Sequence, residues 1–472
     1  MNKDDIERNG EQLNKGAEST PRPENKMGTM PVTRLIFSMS APAIISMMIM
    51  AMYNIVDSIF VSRLGERALE SITIAFPIQL LMIAVGVGTG IGINSLIARR
   101  LGAREFAEAD AAAGNGLRLT LIGGTIFTLF GFFGTKWFMH LFTHDESVVN
   151  FGSDYLSIVC IFSMAIMIIT TTEKIIQATG NMIYPMIASI LGAAVNIVLD
   201  PILIFGLLGA PRLEMKGAAI ATVTGQICSM TLLLILLFKK KYDVKVNIKA
   251  PWDLKIIKEI YRVGAPSIVM QALGSVMQFG MNAILEMVSP TAVAIMGVYG
   301  RLQSFVFMPV FGIGQGSMPV MGFNYGARNR KRLMKAFKVA FLVSLTIMVC
   351  GLLVFQIFPE QLLAIFDASD NMYRIGVPAF RIVSICFIPA AFGITTSNLF
   401  QATGHGLLSL FASFIRQMIG ILPLAYMFYA IGRGDLVWWA FALAEILGTT
   451  YAIIMLRYLY KHKIKNLETV SL

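Results

Sequence analysis

Three carboxylates stand inside long apolar runs of this sequence: Asp57 in YNIVDSIFV, Glu173 in TTTEKIIQATG and Asp200 in NIVLDPILIFG. Acids are expensive in such surroundings and mark a site by default. Asn196 precedes Asp200 by four residues, so the two point from one helix face. With Asp57 and Glu173 on neighbouring helices, the four are expected to line one polar pocket. Burial and a like-charged neighbour are the influences that bring carboxyl proton exchange toward neutrality. A pocket of this kind can trade a proton for a cation, which is the chemistry of a proton-coupled carrier. The structural alternative is that Asp57 or Asp200 merely ties helices together. Glu173 lies near the end of its run, within reach of water, and Lys174 beside it suits a side chain stretching to an interface. Glu286, next to the VSP break, also suits an interface, while Glu445 sits unexplained inside the last apolar run.

Other chemistries find no footing. Cys160, Cys228, Cys350 and Cys386 all lie in apolar runs without a C-x-x-C pair, and the four histidines are scattered, so metal and redox roles are not indicated. The glycines of GVGTGIG lie in an apolar run with no preceding strand and no Lys-Ser/Thr after them, which reads as close helix packing. No nucleophile–base constellation stands out. The expectation is a protein that is not an enzyme and holds no cofactor.

The elements that must position these acids follow from composition. The chain is 56% hydrophobic and 14% charged, against about 25% charged in a soluble domain. Apolar runs of roughly 20 residues or more, enough to cross a bilayer, recur throughout. Their limits are near 34–63, 71–98, 112–139, 150–176, 183–208, 215–239, 258–288, 292–322, 333–358, 372–400, 406–431 and 435–460. This predicts an all-α integral membrane protein of twelve transmembrane helices. The net charge of +11 could suggest nucleic acid. Basic residues cluster instead after even-numbered spans: Arg99, Arg100 and Arg104 after the second, Lys239 to Lys258 after the sixth, and Arg328 to Lys335 after the eighth. By the positive-inside rule both termini are cytoplasmic, and no nucleic-acid partner is needed.

The tetrapeptide QATG occurs at 177–180 and again at 401–404, an offset of 224. The same offset relates Ala41-Pro42 to Ala265-Pro266, Gly88, Gly90 and Gly92 to Gly312, Gly314 and Gly316, and Gly102-Ala103-Arg104 to Gly326-Ala327-Arg328. The chain is a duplicated six-helix unit. Six is even, so the copies enter the membrane from one side as a parallel repeat, with a cavity between two lobes. The expected organisation is a disordered tail over 1–33, a first lobe over 34–239, a hinge-like linker over 240–257, a second lobe over 258–460 and a tail over 461–472. Duplication also isolates what is not shared. At +224 from Asp57, Glu173 and Asp200 stand Met281, Ser397 and Leu424, so these acids belong to the first lobe alone.

APAIISMMIMAMYNIVDSIFVSRLG in the first span, GTGIGINSLIARRLGAR in the second and QATGN with NIVLDPILIFG across the fourth and fifth resemble multidrug and toxic compound extrusion (MATE) transporters. The similarity covers about residues 34–460 and is nearest the MepA-type bacterial branch. It implies efflux of lipophilic, cationic small molecules across the cytoplasmic membrane, driven by proton or sodium entry, by a monomer surrounded by lipid. The family's first-helix acid matches Asp57, its bend-associated proline Pro42, its fifth-helix pair Asn196 and Asp200, and its fourth-helix acid or amide Glu173. Some members bind sodium through carboxylates in helices 7 and 10; here helix 7 offers Gln278 and Asn282 and helix 10 no acid, which favours protons and leaves sodium open. Thirty methionines and 32 phenylalanines suit a permissive drug pocket, though most would face lipid. A flippase of a lipid-linked substrate is the alternative. It would want basic residues within the cavity, whereas Lys and Arg cluster in loops, with Arg301, Arg381 and Arg416 the main exceptions.

Overall fold

Apolar side chains around the full circumference of a helix call for lipid or protein on every side. The structure, a computed structural model, describes residues 25–240, 242–247 and 251–467. In chain order its long helices are α1 (Val32–Ser62), α2 (Glu66–Gly102), α3 (Phe106–Phe133), α4a (Glu146–Ile161) and α4b (Ser163–Ala178), α5 (Ile183–Phe205) and α6 (Glu214–Lys239). The second half repeats them as α7 (Leu254–Val288), α8 (Pro290–Gly326), α9 (Arg330–Ile357), α10a (Asp370–Ser384) and α10b (Phe387–Ala402), α11 (Gly406–Ala430) and α12 (Trp439–Leu459). Counting each bent pair as one, with kinks of 47° and 45°, gives twelve spans.

The offset of 224 seen in the sequence carries into the backbone. It maps α2 onto α8 and α3 onto α9 at both ends, and the short turn Thr135–His140 onto Pro359–Ala364. Arg104 and Arg328 both take positive φ, 61° and 54°, after the last turn of α2 and α8. Gly180 and Gly404, which close the two QATG segments, stand at φ 89° and 83°, a conformation that glycine adopts freely.

Two expectations about the connections need correcting. Residues 25–33 do not behave as a tail. Met27 is fully buried, and the turn Lys26–Thr29 lies across both halves. Asn25 donates to the Thr179 carbonyl (3.1 Å), while Arg332 donates to the carbonyls of Met27 (3.0 Å) and Met30 (2.7 Å). Residues 1–24 and 468–472 of the expected tails lie outside the described residues. The linker, expected over 240–257 as a hinge, ends at residue 253, because Asp253 caps α7 by accepting from the backbone of Lys255 and Ile256. Its described part is laid along α3: Asp110 accepts from the Lys245 amide (2.7 Å), and Arg118 stacks on Trp252. Charge marks Lys255 and Lys258 as linker, but a helix can carry such residues beyond its apolar part.

The cores explain how the lobes meet. One cluster runs through both halves at the end bearing Arg99, Arg100 and Arg328, here called the basic end; it includes Ile36, Ile93, Leu96 and Ile176 from the first half and Phe323, Leu333 and Phe400 from the second. Toward the opposite end each lobe keeps its own core, with Leu156, Cys160 and Ile204 in the first and Tyr299, Phe355 and Phe387 in the second. The lobes are therefore joined at the basic end, where Arg100 of α2 pairs with Glu259 of α7 at 3.0 Å. Backbones cross there with no space for a side chain. A Cβ on Gly102 would overlap the Phe323 carbonyl, and its twin on Gly326 would overlap the Arg99 carbonyl.

Gly102→Val or Gly326→Val should accordingly keep the lobes from closing at the basic end. Spin labels at Arg104→Cys and Arg328→Cys, in a background without the four native cysteines, should report a distance longer by several ångströms than in the parent. An unchanged distance would show that the crossing yields elsewhere.

Candidate ion and substrate site in the first lobe

α1 and α5 bring together three of the four expected residues. Asp200 is fully buried on α5, one residue before Pro201, and the Asp57 side chain of α1 lies within hydrogen-bonding reach of it. Asp57 Oδ1 is enclosed without a hydrogen-bond partner. Asn196, one turn before Asp200, is oriented best with its amide nitrogen donating to Asp200 Oδ2 (2.9 Å) and its oxygen accepting from the backbone and hydroxyl of Thr222 on α6 (3.1 and 3.3 Å). That arrangement leaves the amide no freedom to serve the opposite polarity. It supplies one donor to the carboxyl pair.

Two tyrosines complete the wall. Tyr53, four residues before Asp57 on α1, is near Thr222 and stands close to both acids. Tyr155 of α4a is buried near the same pair and accepts from Gln79 Nε2 of α2 at 2.9 Å. Sequence reasoning misses Tyr53, Tyr155, Thr222 and Gln79. A signal for three of them exists: their +224 equivalents are Met277, Ala379 and Ile446, so the filter that isolates the acids isolates these polar groups too. Gln79 escapes that filter, since Gln303 repeats it.

Glu173 is not in this cluster. It accepts from Ser189 at 3.3 Å near the start of α5, eleven residues and roughly 16 Å of helix before Asp200. Lys174 is buried, not extended toward an interface. Its ammonium donates to Gln177 and, across to the second lobe, to Gln315, both at 2.9 Å. Gln315 in turn donates to Met47 Sδ of α1 at 3.6 Å. The half-buried Glu173 thus sits beside a polar bridge between lobes, and the single pocket expected for four residues resolves into two places. α1 runs as one helix through Pro42, with Ser46 donating to the Pro42 carbonyl at 3.1 Å.

The second lobe is built differently at the equivalent depth. Met281, at the Asp57 position, is fully buried in a cluster rich in aromatic rings that holds Tyr299, Phe355, Phe380 and Phe387. Gly420 and Leu424 replace Asn196 and Asp200, and residues 415–421 form a π-helical turn that shifts the face of α11. Glu445, unexplained in the sequence, pairs with Arg416 from that turn at 2.9 Å. Glu286 is exposed. Among the described residues no group of three or more histidine, cysteine or acidic side chains is placed to hold a metal ion.

Two six-helix halves with one polar cluster in the first have a match among known proteins. The MatE family matches residues 42–202 and again residues 266–427, together more than half of the chain. The chain belongs to the MatE family. The family boundary falls where the duplication places it, once per lobe. Among relatives, the multidrug export protein MepA of Staphylococcus haemolyticus is 23% identical over 416 residues, covering 88% of this chain and 91% of the relative. A protein named as an FAD transporter in Shewanella oneidensis is 24% identical, covering 84% and 88%. A solved outward-facing multidrug resistance MATE transporter of the MOP superfamily is 26% identical, with a TM-score of 0.87 over 93% of this chain and 99% of that one. This MatE chain is a multi-pass membrane transporter and not an enzyme.

Proposed function

We propose that this MATE transporter exports lipophilic cationic drugs and dyes across the cytoplasmic membrane by alternating access, in exchange for protons. What supports the reading is that Asp57 and Asp200 stand beside one another in a buried cluster of the first lobe. Two carboxyl groups hydrogen-bond to one another only when a proton stands between them. Losing it leaves two adjacent negative charges, which a permanent cation or an incoming proton relieves. Drug and proton therefore compete for one place. On this reading the basic end, by its Lys and Arg, is the cytoplasmic end, and the joined cores there support an outward-open arrangement. Helices that rock about a central site allow the exchange only if the ion binds the two states unequally. A monomer suffices, since the whole cluster comes from one lobe, and lipid covers the outer apolar faces.

Competition fixes a sign. Raising the pH from mildly acid to mildly alkaline should tighten binding of a permanently charged dye to the purified protein, and the effect should shrink in Asp57→Asn and vanish when Asp200→Asn is added. Affinity that does not change with pH in the parent would sink the shared-site mechanism. The name of the Shewanella relative signals that an anionic dinucleotide suits at least one member of this frame; the paired acids here favour cations instead. A flippase gains no support from Arg416, whose charge is taken up by Glu445.

A further inference from the structure

A polar cavity lies at the basic end, away from the carboxylates. It has a volume of about 200 Å³ and is lined by Arg99, Arg262, Tyr325, Thr403, Gly404, His405 and Lys463. A water occupies roughly 30 Å³ of liquid, so a phosphate-sized group fits. Arg99 comes from α2 of the first lobe. Arg262, Tyr325 and the 403–405 turn come from the second lobe, as does Lys463 just beyond α12. Arg99 and His405 are half-buried, while Arg262 and Lys463 stand exposed at the rim. The acid that acts on Arg99 is Glu259, and it is held by Arg100 at 3.0 Å. Among the described residues neither Arg262 nor Lys463 forms an ion pair.

The duplication supplies the contrast. At −224 the equivalents of Arg99-facing Gly404 and of His405 are Gly180 and Asn181, and the space beside Gly180 is filled by the chain itself, through Asn25, Lys26 and Met27. Phe323 stands at the twin position of Arg99 and Ser38 at that of Arg262. One copy of the feature is closed with the protein's own N-terminal turn. The other has the Arg99 guanidinium packed over Gly404 and leaves a cavity lined by cations beside it.

We propose that this cavity binds a phosphate group, belonging either to an anionic lipid headgroup or to a soluble phosphorylated compound. Guanidinium groups from both lobes line it, with the Lys463 ammonium and the Tyr325 phenol of the second, the chemistry that recognises phosphate oxygens. Because Arg99 alone belongs to the first lobe, the bound group ties the lobes at the end where they are joined. His405 reports the unmet positive charge: burial and the charges of Arg262, Arg99 and Lys463 press its imidazole down to about 4, although its Nδ1 lies 3.2 Å from the Thr403 hydroxyl. An anion would relieve that pressure, so binding should strengthen as pH falls toward 5.

The test uses the purified full chain with two probes. Radiolabelled sulfate, which does not titrate in this range, represents the free anion; nanodiscs containing phosphatidylglycerol or only phosphatidylcholine represent the lipid, with retained lipid read by native mass spectrometry. Arg262→Gln and Lys463→Gln should each weaken binding of the relevant probe roughly tenfold, the loss expected for one charge-assisted bond. Lys461→Gln, a neighbouring exposed lysine outside the cavity, should leave it unchanged. Loss confined to sulfate identifies a soluble ligand, and loss confined to phosphatidylglycerol identifies a lipid. Retention of both probes by the two cavity variants, or equal loss in Lys461→Gln, would overturn the proposal.

Discussion

Asp200→Asn should reduce export of a cationic dye by roughly 100-fold, the factor corresponding to a charged hydrogen bond worth about 3 kcal/mol, while membrane abundance stays near that of the parent. The amide has almost the shape of the carboxyl, so the packing of the fully buried Asp200 against α1 and α6 survives. What it removes is the ability to hold and release a proton beside Asp57 and to present negative charge to a cation. Asn196 already donates to Asp200, and an asparagine at 200 can still accept that bond through its oxygen. Loss of transport with intact folding would therefore isolate proton chemistry from architecture. Asp57→Asn should behave alike, and the double variant should be little worse than either, since each single change already destroys the pair. Wild-type export by both single variants would leave the carboxylates as struts between helices.

Glu445→Ala should have the largest effect on stability. Glu445 is 9% exposed in its side chain and Arg416 27%. Removing the acid leaves a guanidinium in a largely apolar surround with no counter-charge, a change that costs about 3–5 kcal/mol when a buried pair is broken. The lower figure applies here, because water reaches part of Arg416. Thermal unfolding in detergent should show a marked drop for Glu445→Ala and a much smaller one for the double replacement Arg416→Met with Glu445→Leu, which removes both charges together. If the double variant also exports dye normally, Glu445 is a structural partner of Arg416 and takes no part in coupling. A double variant that is stable yet inactive would make Glu445 a site residue.

The duplication makes much of the fold legible in the sequence. Equal spacing places the ends of α2 and α8, and of α3 and α9, in one register, and the paired Gly-Ala-Arg segments become the same turn with a positive φ at Arg104 and Arg328. The site is legible in part. The pairing of Asn196 with Asp200 follows from helix geometry, and asymmetry between the halves isolates Asp57. Glu173 falls into the same expected pocket because sequence distance along a helix does not reveal height relative to a neighbour. Lys174 reads as an end residue since its partner Gln315 lies 141 positions away and in the other lobe. Glu445 has no visible partner in the sequence for the same reason: Arg416 reaches it from a π-helical turn that periodicity does not announce. The tyrosines around the acids belong to α1 and α4a, and only packing shows that their phenols converge.

In the proposed mechanism, protons passing through the Asp57–Asp200 pair drive cation export. The mechanism is tested most directly in proteoliposomes containing the full chain and a permanently charged dye, with proton and sodium gradients imposed separately. A proton gradient alone, with sodium replaced by choline, should drive dye accumulation that Asp57→Asn abolishes. A sodium gradient at equal pH on both sides should drive none. Accumulation under the sodium gradient alone, or undiminished accumulation by Asp57→Asn under the proton gradient, would contradict the account.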